Sequence, residues 1–311
     1  MTHRQTLSYV ANRLESAGIR PQTRFGQNFL IDLNLVELIA KSAQLNSRDV
    51  VLEVGTGLGS LTKLLAASAA HVVTVEIDSH VAPLAREEFS GLSNVTLLEL
   101  DALKSKSQFD PEVIETLRAK LAAVPNGKLK LVANLPYNVA TPIISNFLSI
   151  EPWPVRIVAT IQKELAERIV AQPRTKDYSA LSIWIQAQAK AQIVRVMPAS
   201  VFWPRPKVES AIVDIRTQKV LRDRIDDVEF FHSFVRTIFL HRRKYLRSAL
   251  IGGFKDKLGK SAIDTILEQL KLPVDCRAEQ LAVEDMIDLA QAMRIGLSQH
   301  SGVETERTSD E

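Results

Sequence analysis

Cysteine is almost missing from this chain. Cys276 stands alone among 311 residues, so no disulfide framework can be drawn. The six histidines, at 3, 71, 80, 232, 241 and 300, are scattered, and no second thiol supports them. No Cys/His spacing of the kind that holds zinc can be assembled, and no metal site is expected. Nor is there an apolar run near the roughly 18 residues of a membrane span. The opening MTHRQTLSYV lacks the apolar core of a secretory signal, so the expected setting is a reducing cytoplasm, away from membranes. Aromatic residues are sparse at 6%, yet 46% of residues are hydrophobic and 24% charged, which excludes disorder, collagen or coiled coil as a description of the whole chain.

A strong excess of one charge is also lacking, since the formal net charge is only +3. The distribution is more informative. Residues 236–260 hold eight Lys/Arg and one acid, whereas residues 261–311 hold four basic and eleven acidic residues. A local block of positive charge suits a polyanion, and a neighbouring acidic block does not.

Periodicity organises the rest. Helical patterns over Leu7–Ala17 and Leu33–Leu45 flank PQTRFGQNFLID, where Pro, Gly and polar residues break the repeat. Short β-branched runs then alternate with helical stretches: strands are predicted at 49–54, 71–77, 94–100, 128–135 and 155–161. This alternation predicts a doubly wound parallel sheet, an α/β architecture. Two further runs, 191–197 and 207–216, are separated only by a Pro-rich loop and should pair as an antiparallel hairpin. Helical patterns fill the remainder. The expected domains are therefore 1–219, with 1–32 as an N-terminal extension, a helical domain at 220–297, and a disordered tail at 298–311.

VLEVGTGLGSLT places Gly55, Gly57 and Gly59 in the turn after the first sheet strand, with Glu53 at the strand's end. The spacing is G-x-G-x-G, unlike the G-x-G-x-x-G of dinucleotide-binding enzymes. Taken alone, the glycines could simply make a tight turn. Polar residues recur, however, where the next strands finish: Glu76, Asp101 and Asn134. In an open α/β sheet these ends share one crevice. A carboxylate at Glu76 is suited to accept ribose hydroxyls, and Asp101 to accept from an adenine amine. Helix capping is the plain alternative for each acid, and for Asp78.

E-x-G-x-G-x-G, the acid after strand two, Asp101-Ala102 after strand three and N-L-P-Y (134–137) after strand four resemble the S-adenosylmethionine-dependent methyltransferases that act on adenine N6, with a Rossmann-like sheet. RFGQNFLID (24–32), FWPRPKVESAIV (202–213) and HRRKYLRSAL (241–250) resemble the KsgA-type dimethyladenosine transferases of small-subunit ribosomal RNA. The resemblance implies S-adenosyl-L-methionine as cofactor and dimethylation of two adjacent adenosines near the 3′ end of 16S rRNA in the 30S subunit, in small-subunit biogenesis. It also implies a lid at Gln27–Leu30 that contacts the cofactor through Asn28 and Leu30, and a base-facing Phe202. Thr56 departs from the proline common at that turn.

For such chemistry N-L-P-Y has suitable groups. An adenine amine is a weak nucleophile, and acceptors aimed at its N–H groups favour the reactive pyramidal nitrogen. Asn134 offers a side-chain carbonyl, Leu135 a backbone carbonyl, and Pro136 has no N–H with which to claim one. Tyr137 can present a ring face to an extruded base. Arg242, Arg243, Lys244 and Arg247 are expected to lie along one helix against phosphates, with Arg205 and Lys207 beside the base pocket. GFKDKLGKS (253–261) imitates a phosphate loop but has the wrong glycine spacing and no preceding strand. Trp153 and Trp184 read as core. The expected species is a monomer. Three rivals stay open: a macrolide-resistance methyltransferase of 23S rRNA, a non-catalytic RNA-binding assembly or transcription factor, and a nicotinamide dehydrogenase.

Overall fold

A computed structural model of the chain describes residues 7–22, 25–255, 257–273 and 275–307. Arg24 of the lid motif therefore lies outside the described residues, as do the last four positions of the expected tail. The chain opens with α1 (Leu7–Ser16), β1 (Phe29–Leu30) and α2 (Leu33–Ser42). The alternating section follows: β2 (Asp49–Val54), α3 (Ser60–Ala66), β3 (His71–Val75), α4 (Ala82–Glu88), β4 (Val95–Leu98), a ribbon of β5 (Leu103–Ser105) and β6 (Gln108–Phe109), α5 (Pro111–Ala122), β7 (Lys128–Asn134), α6 (Ala140–Phe147), β8 (Arg156–Gln162) and α7 (Lys163–Val170). After α8 (Ala180–Gln186) come β9 (Ala189–Met197), β10 (Phe202–Trp203) and β11 (Ser210–Thr217).

One seven-stranded sheet has the order β4-β3-β2-β7-β8-β11-β9. The predicted strands pair in parallel from β4 to β8, and β11 runs antiparallel to β8. Every residue of β2 is buried, which is the pattern of a parallel strand covered on both faces rather than an alternating one. From β2 the chain winds outward to β4, then returns to lay β7 on the other side of β2. The switch in direction opens a crevice between the C-terminal ends of β2 and β7. At the opposite end of these strands, buried Lys130 and Asp49 pair at 2.8 Å. Lys130 Nζ also donates to the Ala43 and Gln44 carbonyls at 3.2 and 2.9 Å, so it closes the carbonyl end of α2 against the sheet.

The loop between β9 and β11 does more than turn a hairpin. Its β10 pairs antiparallel with β1, Leu30 opposite Phe202 and Phe29 opposite Trp203. The segment expected to act as a lid is thereby paired with a strand more than 170 residues further along the chain.

By compactness the chain divides into residues 1–167 with 191–217, and residues 168–190 with 218–311. The single boundary expected near 220 therefore needs correcting, because 168–190 belong with the helices. The reason is packing: the Trp184 ring stacks on His232 at 4.2 Å and lies near Phe231, and the buried Tyr178 hydroxyl donates to the Leu281 carbonyl at 3.1 Å. Burial pushes the His232 imidazole down to about 4, so it is neutral in that core. Trp153, unlike Trp184, is only partly buried. The second unit contains α9 (Lys219–Arg222), α10 (Val228–Phe239), α11 (Leu246–Gly253), α12 (Lys260–Gln269) and α13 (Val283–Arg307). The helix α13 runs on past residue 298 to Arg307, where a disordered tail was expected. Gly253, the first glycine of the phosphate-loop imitation, ends α11. Among the described residues no helix is long and apolar enough to cross a membrane.

Candidate active site at the strand ends

A cavity of about 340 Å³ opens where β2, β3 and β7 finish. That is within the range of small-molecule sites. Of the residues expected there, Asn28, Leu30, Glu53, Gly55, Gly57, Glu76, Asp101, Ala102, Asn134, Leu135, Pro136 and Tyr137 all line it. Gly59 does not. With φ +82 it starts α3, and a Cβ there would meet the Phe89 ring at 3.1 Å and the Ala85 carbonyl at 3.2 Å, so this glycine packs α3 on α4.

Each wall has its own cause. Gly55 (φ +85) allows the first turn to press on the second loop, since a Cβ would sit 3.3 Å from Pro136 Cδ. Gly57 (φ +56) faces the Phe29 ring of the lid. Glu76, 4% exposed, accepts from the Gly57 N–H at 2.9 Å through one oxygen and from the Asp78 N–H at 3.0 Å through the other. Burial raises its pKa, and each oxygen keeps a lone pair for a ligand hydroxyl. Asp101 accepts from the Leu103 N–H at 2.9 Å through Oδ1.

Glu53 is 1% exposed, and its Oε2 accepts from the hydroxyls of Thr62 at 2.6 Å and Thr74 at 2.7 Å. Thr56 in turn bonds Thr74 at 2.6 Å, which gives the residue standing where a proline is common a defined partner. Burial pushes the Glu53 carboxyl up to about 8. Thr62 and Thr74 were missed in the sequence, although a polar Thr74 inside the apolar strand HVVTV was a signal. Gln27, the first residue of the segment expected to act as a lid, donates to Asp78 at 2.9 Å and so ties that segment to the loop after β3.

Asn134 carries the most unusual polar atom of the cavity. Its Nδ2 donates to the Asn28 carbonyl at 3.0 Å, which orients the amide, and its Oδ1 is buried with no hydrogen-bond partner. A buried carbonyl oxygen without a partner is uncommon and points to a donor that arrives with a ligand. The Leu135 N–H is used by the Thr160 carbonyl at 3.1 Å, which sets the loop's direction. The Tyr137 hydroxyl bonds Ser210 at 2.5 Å.

The family model for ribosomal RNA adenine dimethylase matches residues 19–294. The chain belongs to that family. Relatives include the ribosomal RNA small subunit methyltransferase A of Ligilactobacillus salivarius, 36% identical over 283 residues that cover 90% of this chain and 92% of that one. The protein of the same name from Halothermothrix orenii is 34% identical, covering 89% of each chain. Among solved structures, a dimethyladenosine transferase from Plasmodium falciparum superposes with a TM-score of 0.67 at 25% identity, over 82% of this chain and 94% of that one. The 23S rRNA methyltransferase ErmE superposes with a TM-score of 0.60 at 24% identity, over 86% of this chain and 99% of that one, which shows the shared fold. This dimethylase is accordingly a Rossmann-like methyltransferase.

Two expectations about RNA-facing residues need correction. Phe202 is 2% exposed and packs in the core cluster with Leu30, Val36, Ile39 and Met197, so it cannot face a base. The apolar β1–β10 pairing buried it. The basic run is a turn, not one continuous helix: α10 stops at Phe239, α11 starts at Leu246, and Arg242, Arg243 and Lys244 are exposed between them. Arg247, on α11, is taken by Asp264 in a two-armed pair at 2.6 and 2.8 Å, while Arg242 only approaches Glu279 at 4.0 Å. Arg205 and Lys207 are exposed on the loop that precedes β11.

Proposed function

We propose that this dimethylase transfers methyl groups to N6 of two adjacent adenosines in the 3′-terminal hairpin of 16S rRNA, acting as a cytoplasmic monomer on the 30S subunit or its precursor. The observation that supports the reading is the oriented, unpartnered Oδ1 of Asn134, a residue that lines the cavity. Relatives named for the small ribosomal subunit stand at 34 to 36% identity over about nine-tenths of the chain, which favours 16S over 23S rRNA as substrate.

The residues present fit S-adenosylmethionine. Of the residues that line the cavity, Glu76 would accept from ribose hydroxyls and Asp101 from an adenine amine, Gly55 and Gly57 would let the backbone approach closely, and Asn28 and Leu30 would cover the cofactor from the N-terminal side. Glu53 is buried in the wall, with its carboxyl held by two threonines. When bound, the cofactor supplies a methyl group on a sulfonium sulfur, an electrophile for the amine nitrogen.

The protein's own contribution is at the amine. In the first transfer Asn134 Oδ1 and the Leu135 carbonyl accept from the two N–H groups, and in the second one of them accepts from the N–H that remains, which favours a pyramidal nitrogen whose lone pair is free of the ring. Pro136 holds the turn. The ring of Tyr137 offsets part of the cost of unstacking the target base. No dedicated base is needed, because the cationic product amine loses its proton to water. Arg242, Arg243 and Lys244, with Arg205 and Lys207, would hold phosphates and no base edges.

The test is methyl transfer from labelled S-adenosylmethionine to unmodified 30S subunits, with 50S subunits as control and the product nucleosides identified. Dimethyladenosine confined to 30S is the expected result. Transfer to 50S alone would assign the protein to the large subunit, and binding of both ligands without transfer would leave an assembly factor.

A further inference from the structure

The motif KVESAIV contains a serine to which the chemistry above gives no task. Ser210 is the first residue of β11 and has no exposed surface. Its hydroxyl lies 2.5 Å from that of Tyr137. Tyr137 itself is partly exposed and lines the cavity, and burial of its phenol raises the pKa, which keeps the group neutral and able to donate.

The strand register shows what this contact does. β7 pairs with β8, Asn134 opposite Thr160, and β8 pairs with β11, Thr160 opposite Ile212 and Gln162 opposite Ser210. The Thr160 carbonyl accepts from the Leu135 N–H. Both amine acceptors are therefore registered on β8, and Ser210 sits two residues along from the partner of Thr160. The Tyr137 ring is held at one end by the backbone that follows Pro136. At the other end it is held by a buried atom of the same three-strand lattice that carries Asn134. Both anchors lie on the long axis of the ring, so they fix where that axis points, and the phenol O–H, which prefers to lie in the ring plane, biases the plane itself before a base arrives, as a preorganised site requires.

We propose that Ser210 is a positioning residue for methyl transfer, fixing the Tyr137 ring as the platform for the target adenine in line with Asn134. This rests on the adenine-N6 reading of the site. Ser210 does not touch the reacting atoms, and its effect passes through Tyr137.

The experiment is a double-mutant cycle on 30S methylation with Ser210→Ala, Tyr137→Phe and the pair. Cofactor affinity is measured by calorimetry, and the fluorescence of 2-aminopurine placed at a target adenosine reports the extruded base. Each single change should lower single-turnover kcat roughly 10- to 100-fold. The pair should lose no more than either alone, and cofactor affinity should hold. Ser210→Thr, which keeps the hydroxyl, should recover most of the rate. The 2-aminopurine signal should shift alike in both single variants. Wild-type rates in Ser210→Ala, or losses that multiply in the pair, would overturn the role while leaving the functional reading intact. If Ser210→Ala does not fold, Tyr137→Phe removes the same hydrogen bond without touching β11, and an unchanged rate there overturns the proposal. Failure of the wild-type enzyme to methylate any adenosine would instead sink the functional reading.

Discussion

Gly55 lies against Pro136: a Cβ on the glycine would come within 3.3 Å of the proline Cδ and 3.6 Å of the Asn134 carbonyl. Two loops at the ends of neighbouring strands thus touch through the one residue that can adopt φ +85 without a side chain. The glycine turn after β2 and the Asn134–Tyr137 loop after β7 are built as one surface. Gly55→Ala should cost about 1–3 kcal/mol of backbone strain and push Pro136 outward. Calorimetry should show weaker cofactor binding and single-turnover assays a lower rate. An effect on only one of the two would show that the contact does not couple them.

Asn134→Ala removes the buried acceptor and also the donor to the Asn28 carbonyl. A fall in kcat of about 10²–10³-fold is expected, the usual scale for one preorganised polar group at a reacting centre. Only a smaller loss of cofactor affinity should follow through the lid. Full methylation by this variant would remove Asn134 from the chemistry.

Glu53 gives a pH dependence with a definite sign. Its pKa rises from 4.5 to about 8 on folding, first because of burial. Between those values the folded protein keeps a proton that the unfolded chain releases, so this group makes stability fall as pH rises, by at most about 1.4 kcal/mol per pH unit. Glu53→Gln cannot ionise. Urea unfolding of the cofactor-free protein should show a shallower decline for the variant across that window, and identical pH slopes would mean that Glu53 is ionised throughout.

Charge reversal at Arg242, Arg243 and Lys244 should weaken 16S binding, with the salt slope reduced by about 1 for each phosphate that is no longer neutralised. Cofactor binding should not change. Arg247→Ala should affect RNA affinity less than any of these, because Asp264 already holds its guanidinium. A larger effect from Arg247 would show that RNA displaces the acid.

Phe202→Ala separates the two roles considered for that ring. As a core residue it should cost roughly 3–5 kcal/mol of stability by leaving a cavity. A base-stacking residue would lower the methylation rate with little change in melting temperature, so differential scanning calorimetry distinguishes the two.

The sheet was legible because its buried parallel strands are nearly pure β-branched runs at regular intervals. The cavity followed, since the chain can end five such strands only along one crevice. Phe202 was misread because its burial depends on β1, a strand of two residues in a segment without periodicity. The basic turn was misread for a related reason: Phe239 and Leu246 both continue a helical pattern, and the residues between them contain no glycine or proline to mark the stop. Residues 168–190 joined the other unit through the packing of Trp184 and Tyr178, which no local pattern could reveal.

The pairing of β1 with β10 also bears on when the enzyme becomes competent. Phe29 finds Trp203 only after every strand from β2 to β9 has been made. At ribosomal speeds of about 5–20 residues per second, that leaves the amino-terminal segment without its partner for roughly ten seconds or more. Closing so long a loop adds little to the final free energy, because the entropic cost grows only with the logarithm of length. It does impose an order on assembly. A nascent chain can hold a finished glycine turn while Phe29 and Leu30 are still unpaired, so the protein that modifies ribosomal RNA completes one wall of its cavity late in its own translation.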